Sequence, residues 1–423
     1  MNTGVPSGRL RIDFIMIIGC LSVFWGASFL KAEPVLPHIS ECVSPFQHKT
    51  ISPEILSHIL RIHAKWLADS NDPEGKRANL CDADLARADF REVDISGANL
   101  QGANLDQANF NGAIMVKVNL LDVHGQEASF YAVNLQGANL QNGFFQGADF
   151  RKANLSHANL GSANLRWANL AETIMSAVNL QDAEMEEAHL IDATLDQANL
   201  TRAKLHRADL HGVQLENAIL VYAELREADL YQANLMMADL RHADLRRVEL
   251  SLANLNEAIL EYANLREATL ERAVLYKANL KNSDCSEASF QIADLLETDF
   301  SNADLRGAIF DEVYMAKANL RAANLKGADL AWANLVEADL REANLEETTF
   351  YKAILREALI DRAQFYGADL RGANFRDASL QSTNFRGVTM DFVLGLTQLQ
   401  INKACLDERT ALPRRLKRPS PCQ

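Results

Sequence analysis

Ten histidines, six cysteines and 56 carboxylates are spread through 423 residues, and none falls into a spacing that catalysis or metal binding requires. His58 and His63 lie five apart in a stretch with helical apolar spacing, whereas a zinc pair on a helix needs i and i+4 to share a face. No Gly-x-Ser-x-Gly elbow, Walker loop, dinucleotide fingerprint, His-Glu-x-x-His or Cys-x-x-Cys occurs. The residues therefore assign no catalytic group, no metal ligand and no cofactor, and a non-enzymatic chain is expected.

Phe14 to Leu30 carry no charge, follow Arg9 and Arg11, and precede Lys31-Ala32-Glu33-Pro34, the grammar of a secretory signal cleaved near Ala32. A run of this length also sits at the lower limit of about 17 residues for spanning a bilayer, so an inner-membrane anchor over residues 14–30 is the competing expectation. Ile17-Ile18-Gly19-Cys20 looks like a lipoprotein signal, but too few apolar residues precede Cys20. Cleavage would leave Cys42, Cys81, Cys285, Cys405 and Cys422, an odd set, in which Cys405 with Cys422 is the first pair to test in an oxidising compartment.

The net charge of -14 is unevenly placed. Residues 78–390 hold 28 basic against 46 acidic residues, a net of -18, while both flanks are slightly basic. An acidic body repels the phosphate backbone, so direct nucleic-acid binding is disfavoured and imitation of DNA is left open.

From Leu80 to Met390 every fifth residue is Leu, Phe, Ile or Met except Gly125 and Cys285, giving 63 consecutive pentapeptides of the form Ala-(Asp/Asn)-Leu-x-x. The residue two positions earlier is always Ala, Val, Thr, Ser or Gly. Five helical steps of about 100° leave successive Leu residues about 140° apart, so no helical face could bury them. A plain strand would put i and i+5 on opposite faces. The chain must therefore turn once per pentapeptide, with the small and the large residue both pointing inward.

Four sides close a coil of twenty residues, and like residues should recur at multiples of twenty. Phe90, Phe110, Phe130, Phe150, Phe290, Phe310 and Phe350 do so, which predicts a column of aromatic rings along one interior face. Small residues at the other inward position are what close packing demands in so narrow a coil. About sixteen coils at roughly 4.8 Å each make a rod about 75 Å long.

With these residues in view, the chain resembles the pentapeptide repeat family over roughly three quarters of its length. The resemblance implies an all-β solenoid, a right-handed quadrilateral β-helix. Its quinolone-resistance members, understood as DNA mimics that bind type II topoisomerases, imply an alternative function as inhibitor or protector of such an enzyme. A cleaved leader speaks against it, since an exported rod never meets a cytoplasmic topoisomerase.

Both ends of a solenoid expose a sheet edge and need a cap. Ser52-Pro53-Glu54 reads as a helix start, and Ile55, Ile59, Ile62 and Trp66 predict a helix from Pro53 to about Ala68 over the first coil. Thr397-Gln398-Leu399-Gln400 matches a capping box opening a short helix through Ala404, whose Leu399 and Ile401 would close the other end or pair two rods as a homodimer. Residues 412–423 are basic and hold three prolines, an irregular tail expected against the acidic body. The expected organisation is a leader or anchor at 1–32, an N-terminal segment and cap at 33–77, the solenoid at 78–390, and a capped, basic terminus at 391–423.

Outward residues supply the candidate interaction sites. Gly125 and Gly143 weaken the repeat, which predicts a bulge or kink, and an exposed Phe144 twenty residues after His124 is a candidate docking point. Tyr131, Tyr231 and Tyr351 share one column and are candidate anchors, against the simpler expectation that they cover neighbouring backbone. Asp209, Asp229 and Glu249 form a like-charge ladder. The expected function is a non-enzymatic, exported or membrane-anchored scaffold, periplasmic or extracellular, that presents an acidic rod to another protein or an envelope component. The membrane would be met only through the N-terminal segment.

Overall fold

A computed structural model of the protein describes residues 42–419. Residues 1–41, with the expected leader, and 420–423, with Cys422, lie outside the described residues.

The body has the predicted period. Each outward residue preceding a central one bridges, in parallel, to the residue twenty further on, as in Asn79 with Asn99, Asn99 with Asn119 and onward without a break to Asn384. The bonding is a parallel ladder: Leu80 N–H donates to Asn99 O at 2.7 Å and Asn99 N–H to Ala78 O at 3.0 Å. Four sides per coil follow from four turns, each closed by a bond such as Ala83 N–H to Leu80 O at 3.2 Å.

These turns carry a feature absent from the sequence reading. From Asp82 to Gly387, every residue two positions after a central one has a positive φ, as with Asp82 at 52°, Trp167 at 58° and Glu342 at 65°. The left-handed region suits the third residue of a tight turn, and it disfavours β-branched side chains on steric grounds. Ile292, with φ 60°, is the one β-branched residue in that position.

Inside, the central and small residues form one continuous core from Ala78 to Met390, most with no solvent exposure. Phe90, Phe110, Phe130 and Phe150 stack on successive coils at centroid distances of 4.7, 5.0 and 4.7 Å, and Phe290 stacks on Phe310 at 5.0 Å. Phe350 instead meets Phe365 from the neighbouring side at 5.6 Å. Inward hydroxyls are tied off locally, as when Thr298 donates to Leu275 O at 2.8 Å and Thr348 to Leu325 O at 3.0 Å.

The expected bulge near residue 143 does not form. The ladder continues through His124, Phe144 and Asn164, because the two glycines compensate for a bulky neighbour. A Cβ on Gly143 would collide with the Phe145 ring, and one on Gly125 would stand 3.0 Å from it. Gly125 and Gly143 thus make room for Phe145 at constant volume.

Helix α1 spans Pro53–Ala68 with Ser52 as N-cap. Its buried face is Leu56 and His63, with Ile59 and Leu60 half-covered, whereas Ile55 is exposed. The predicted stripe is therefore rotated by about one residue. The cause is polar: His63 Nδ1 accepts the Ala78 N–H at 3.0 Å, satisfying the first inward residue of the solenoid. Residues 48–51 add a partial rung beneath the first coil, with Asp84 N–H donating to Lys49 O at 3.1 Å.

Helix α2, Gln398–Ile401, has the predicted capping box but ends short of Ala404. Ile401 is buried under the last coil and Leu399 is exposed. The Gln400 amide donates to Phe375 O and Ala378 O, both at 2.9 Å, covering carbonyls at the open edge. The basic tail lies on this cap and not on body carboxylates: Arg415 donates to Leu396 O and Arg418 to Thr410 O.

Candidate interaction surface

The coil presents four outward columns on its sides and paired columns at its corners. On one side, Asn79, Asn99, Asn119, Asn139, Asn159, Asn179 and Asn199 form an unbroken ladder in which each amide from Asn99 on donates to the Asn Oδ1 one coil earlier, at 2.8 to 3.4 Å. The same oxygens accept the backbone N–H two residues on, as from Gln101 to Asn99 at 3.3 Å. Asn or Asp before the central Leu is thus a turn-forming acceptor as well as a rung.

Where Arg follows two residues after Asp, the corner carries a two-pronged pair. Arg91 holds Asp89 at 2.6 Å, and its hydrogen bonds pull the carboxyl down to about 2. Arg246 on Asp244 and Arg371 on Asp369 repeat the arrangement and lower those carboxyls as well. One corner gathers Arg226, Arg246, Arg247 and Arg266 around Glu267 in an open dish of about 270 Å³. Each of these guanidiniums already faces a carboxylate.

The predicted site residues are not brought together. Phe144 is exposed and stacks on His124 at 5.0 Å, one coil apart. Tyr131 lies under the Arg151 guanidinium at 5.7 Å, Tyr231 on His211 at 5.2 Å, and Tyr351 beside Trp332 and Lys352. Each tyrosine is thus engaged with its own neighbours, five and six coils from the next. The Asp209, Asp229 and Glu249 column spends its charge on turns, accepting the backbone N–H of His211, Tyr231 and Ser251.

Cys42 is bonded to Cys81, tying the N-terminal segment to the first coil across 39 residues. Cys285 is buried among apolar groups, which pushes its thiol up to about 12. The expected pairing of Cys405 with Cys422 falls outside the described residues. Among the described residues no cluster of three or more His, Cys, Asp or Glu could hold a metal, and no helix is long and apolar enough to cross a membrane.

One exposed aromatic column escaped the sequence reading. Tyr222, His242 and Tyr262 stack at 4.8 and 5.0 Å on successive coils. Their spacing of twenty, at the second residue after each centre, is the same signal in the sequence that places the Phe column.

Such an architecture, a filled four-sided coil with all its variation on the outside, defines a β-solenoid. The family model for pentapeptide repeats matches in successive blocks from residues 76–112 to 360–391. The chain belongs to the pentapeptide repeat family, whose fold is the right-handed quadrilateral β-helix. It is similar to HetL of Nostoc sp. strain PCC 7120, a pentapeptide repeat protein involved in heterocyst differentiation regulation: 33% identity over 50% of this chain and 88% of HetL, TM-score 0.28. A pentapeptide repeat protein of the Arabidopsis thaliana thylakoid lumen is 32% identical over 24% of this chain and 70% of its own, TM-score 0.24. QnrB1, a plasmid-mediated fluoroquinolone resistance protein, is 16% identical over 45% of this chain and 88% of its own, TM-score 0.22. No curated protein sequence matches the chain.

Proposed function

We propose that the protein is a non-enzymatic, exported or membrane-anchored scaffold whose acidic solenoid is read by another protein or an envelope component. The observation that carries this is the filled core: inward positions are occupied by packed Ala and Leu, Phe, Ile or Met, so the variable and charged residues of the repeat face out. The surface dishes on the repeat body are open and lined by charged side chains, as at Arg321, Arg341, Glu342 and Arg362. A pocket that binds a small substrate is ordinarily concave and mostly apolar.

Two measurements test the reading. Localisation of a C-terminally tagged chain, with and without residues 1–32, should recover the full chain outside the cytoplasm or in the inner membrane, at cleaved or full mass respectively. Block deletions of twenty residues should leave a folded rod and abolish capture of its cellular partner in a position-dependent way. Cytoplasmic recovery together with inhibition of DNA supercoiling by a type II topoisomerase would replace this reading with the DNA-mimic alternative.

A further inference from the structure

The Asn ladder ends abruptly. The next residues in its column are Ile219, Asp239 and Ile259, bridged in the same register. Asp239 keeps the turn bond, accepting the Arg241 N–H at 3.2 Å. Neither isoleucine can make that bond or serve as a rung, so both give up polar contacts that each Asn from Asn99 to Asn199 makes. Nothing inside the coil compensates, because the side chains point outward.

The same side is bordered by Met237 at one corner and by the Tyr222–His242–Tyr262 stack at the other. Ile219, Tyr222, Met237, Ile259 and Tyr262 are between 36% and 54% exposed, within three consecutive coils. On the repeat body, Ile114 and Ile174 lie singly, which is ordinary for a protein surface, and the exposed Phe392 and Leu394 belong to the C-terminal cap. Five exposed apolar side chains gathered around the single Asp239–Arg241 pair on three successive coils are not ordinary.

We infer that this face is a docking site for an apolar segment of a partner protein flanked by basic residues. Charge complementarity supplies the second half. Asp239 is neutralised by Arg241 at 2.6 Å, and the remaining rim charges of these coils are Glu216, Glu257 and Glu261. A second copy of the chain would bring the same carboxylates face to face, and an anionic bilayer would be repelled. A cationic, apolar-centred segment satisfies both the face and its rim.

The inference rests on the solenoid being a binding surface, and its test separates the two. The probe is a fluorescent ten-residue peptide with a Leu/Phe centre and two lysines at each end, with glutamate-flanked and serine-centred counterparts. The full chain should bind the first in preference to both counterparts. Ile219→Asn with Ile259→Asn, which restores the ladder residue, should weaken binding about tenfold or more, the scale of losing a few apolar anchors, with an unchanged or higher melting temperature. Tyr222→Asn with Tyr262→Asn should do the same through the other edge of the face. Equal binding by both variants, or by the serine-centred peptide, overturns the inference. So does concentration-dependent dimerisation or vesicle binding that the variants abolish. These failures would leave the scaffold reading standing as long as coil deletions still abolish partner capture.

Discussion

Ile292 occupies a left-handed turn position that its branched Cβ resists, and its side chain is half exposed. Replacing it with Asn should stabilise the protein by about 1 kcal/mol, measured by chemical denaturation, because Asn tolerates this region at little cost. Asn139 sits in mid-ladder, donating to Asn119, accepting from Asn159 and receiving the Gln141 N–H. Asn139→Ala removes all three contacts and should cost about 1–3 kcal/mol, at roughly 1 kcal/mol per bond. Gly143 and Phe145 are coupled by volume. Gly143→Ala should cost about 1–3 kcal/mol by overpacking, and Phe145→Leu should relieve much of it, so the double variant is less destabilised than the sum of the singles.

At the scale of elements, the N-terminal cap is held by a helix face, one histidine and one disulfide. Burial keeps the His63 imidazole below its ordinary 6.5, against the pull of Asp94 and with Arg77 adding to the lowering. Its protonation would place a second hydrogen against the Ala78 N–H. The unfolded chain takes up a proton below about pH 6.5 that the folded cap refuses, so the cap's stability is complete above that value and falls with falling pH. Fluorescence of Trp66, stacked on His63 at 5.3 Å, should report this loss, and His63→Gln should flatten it. Cys42→Ser should loosen α1 by up to roughly 4 kcal/mol, the entropy of a loop this long, with faster amide exchange confined to the cap. These elements also show what the sequence made legible. Ser52-Pro53 and Thr397–Gln400 marked both helix starts because capping is local chemistry. The rotation of α1 was not legible, since it depends on which carbonyls and amides the first coil leaves open. Nor was the partner of Cys81, because Cys42 lies outside the repeat frame that gave every other position its address.

For the whole molecule, the fold was legible because one short pattern is enforced at every coil by the same packing, small residue opposite large. The Phe column followed from that period; the turn geometry did not, since the positive-φ position is filled by Glu, Arg, Tyr or Trp as readily as by Gly. The candidate interaction residues were only partly legible. Tyr131, Tyr231 and Tyr351 share a column yet stand far apart, while the apolar side from Ile219 to Tyr262 emerges only when columns at a side and its corners are combined. That combination depends on the coil acting as a fixed ruler, in which residues twenty apart are neighbours and residues a hundred apart are not. Spin labels on cysteines placed at Arg87, Glu187 and Glu287, all in one corner column, measure the ruler directly by pulsed dipolar spectroscopy. The coil predicts distances from position 87 of about 24 Å and about 48 Å, linear in coil number at roughly 4.8 Å each. Distances that fail to double, or that spread broadly, would contradict it.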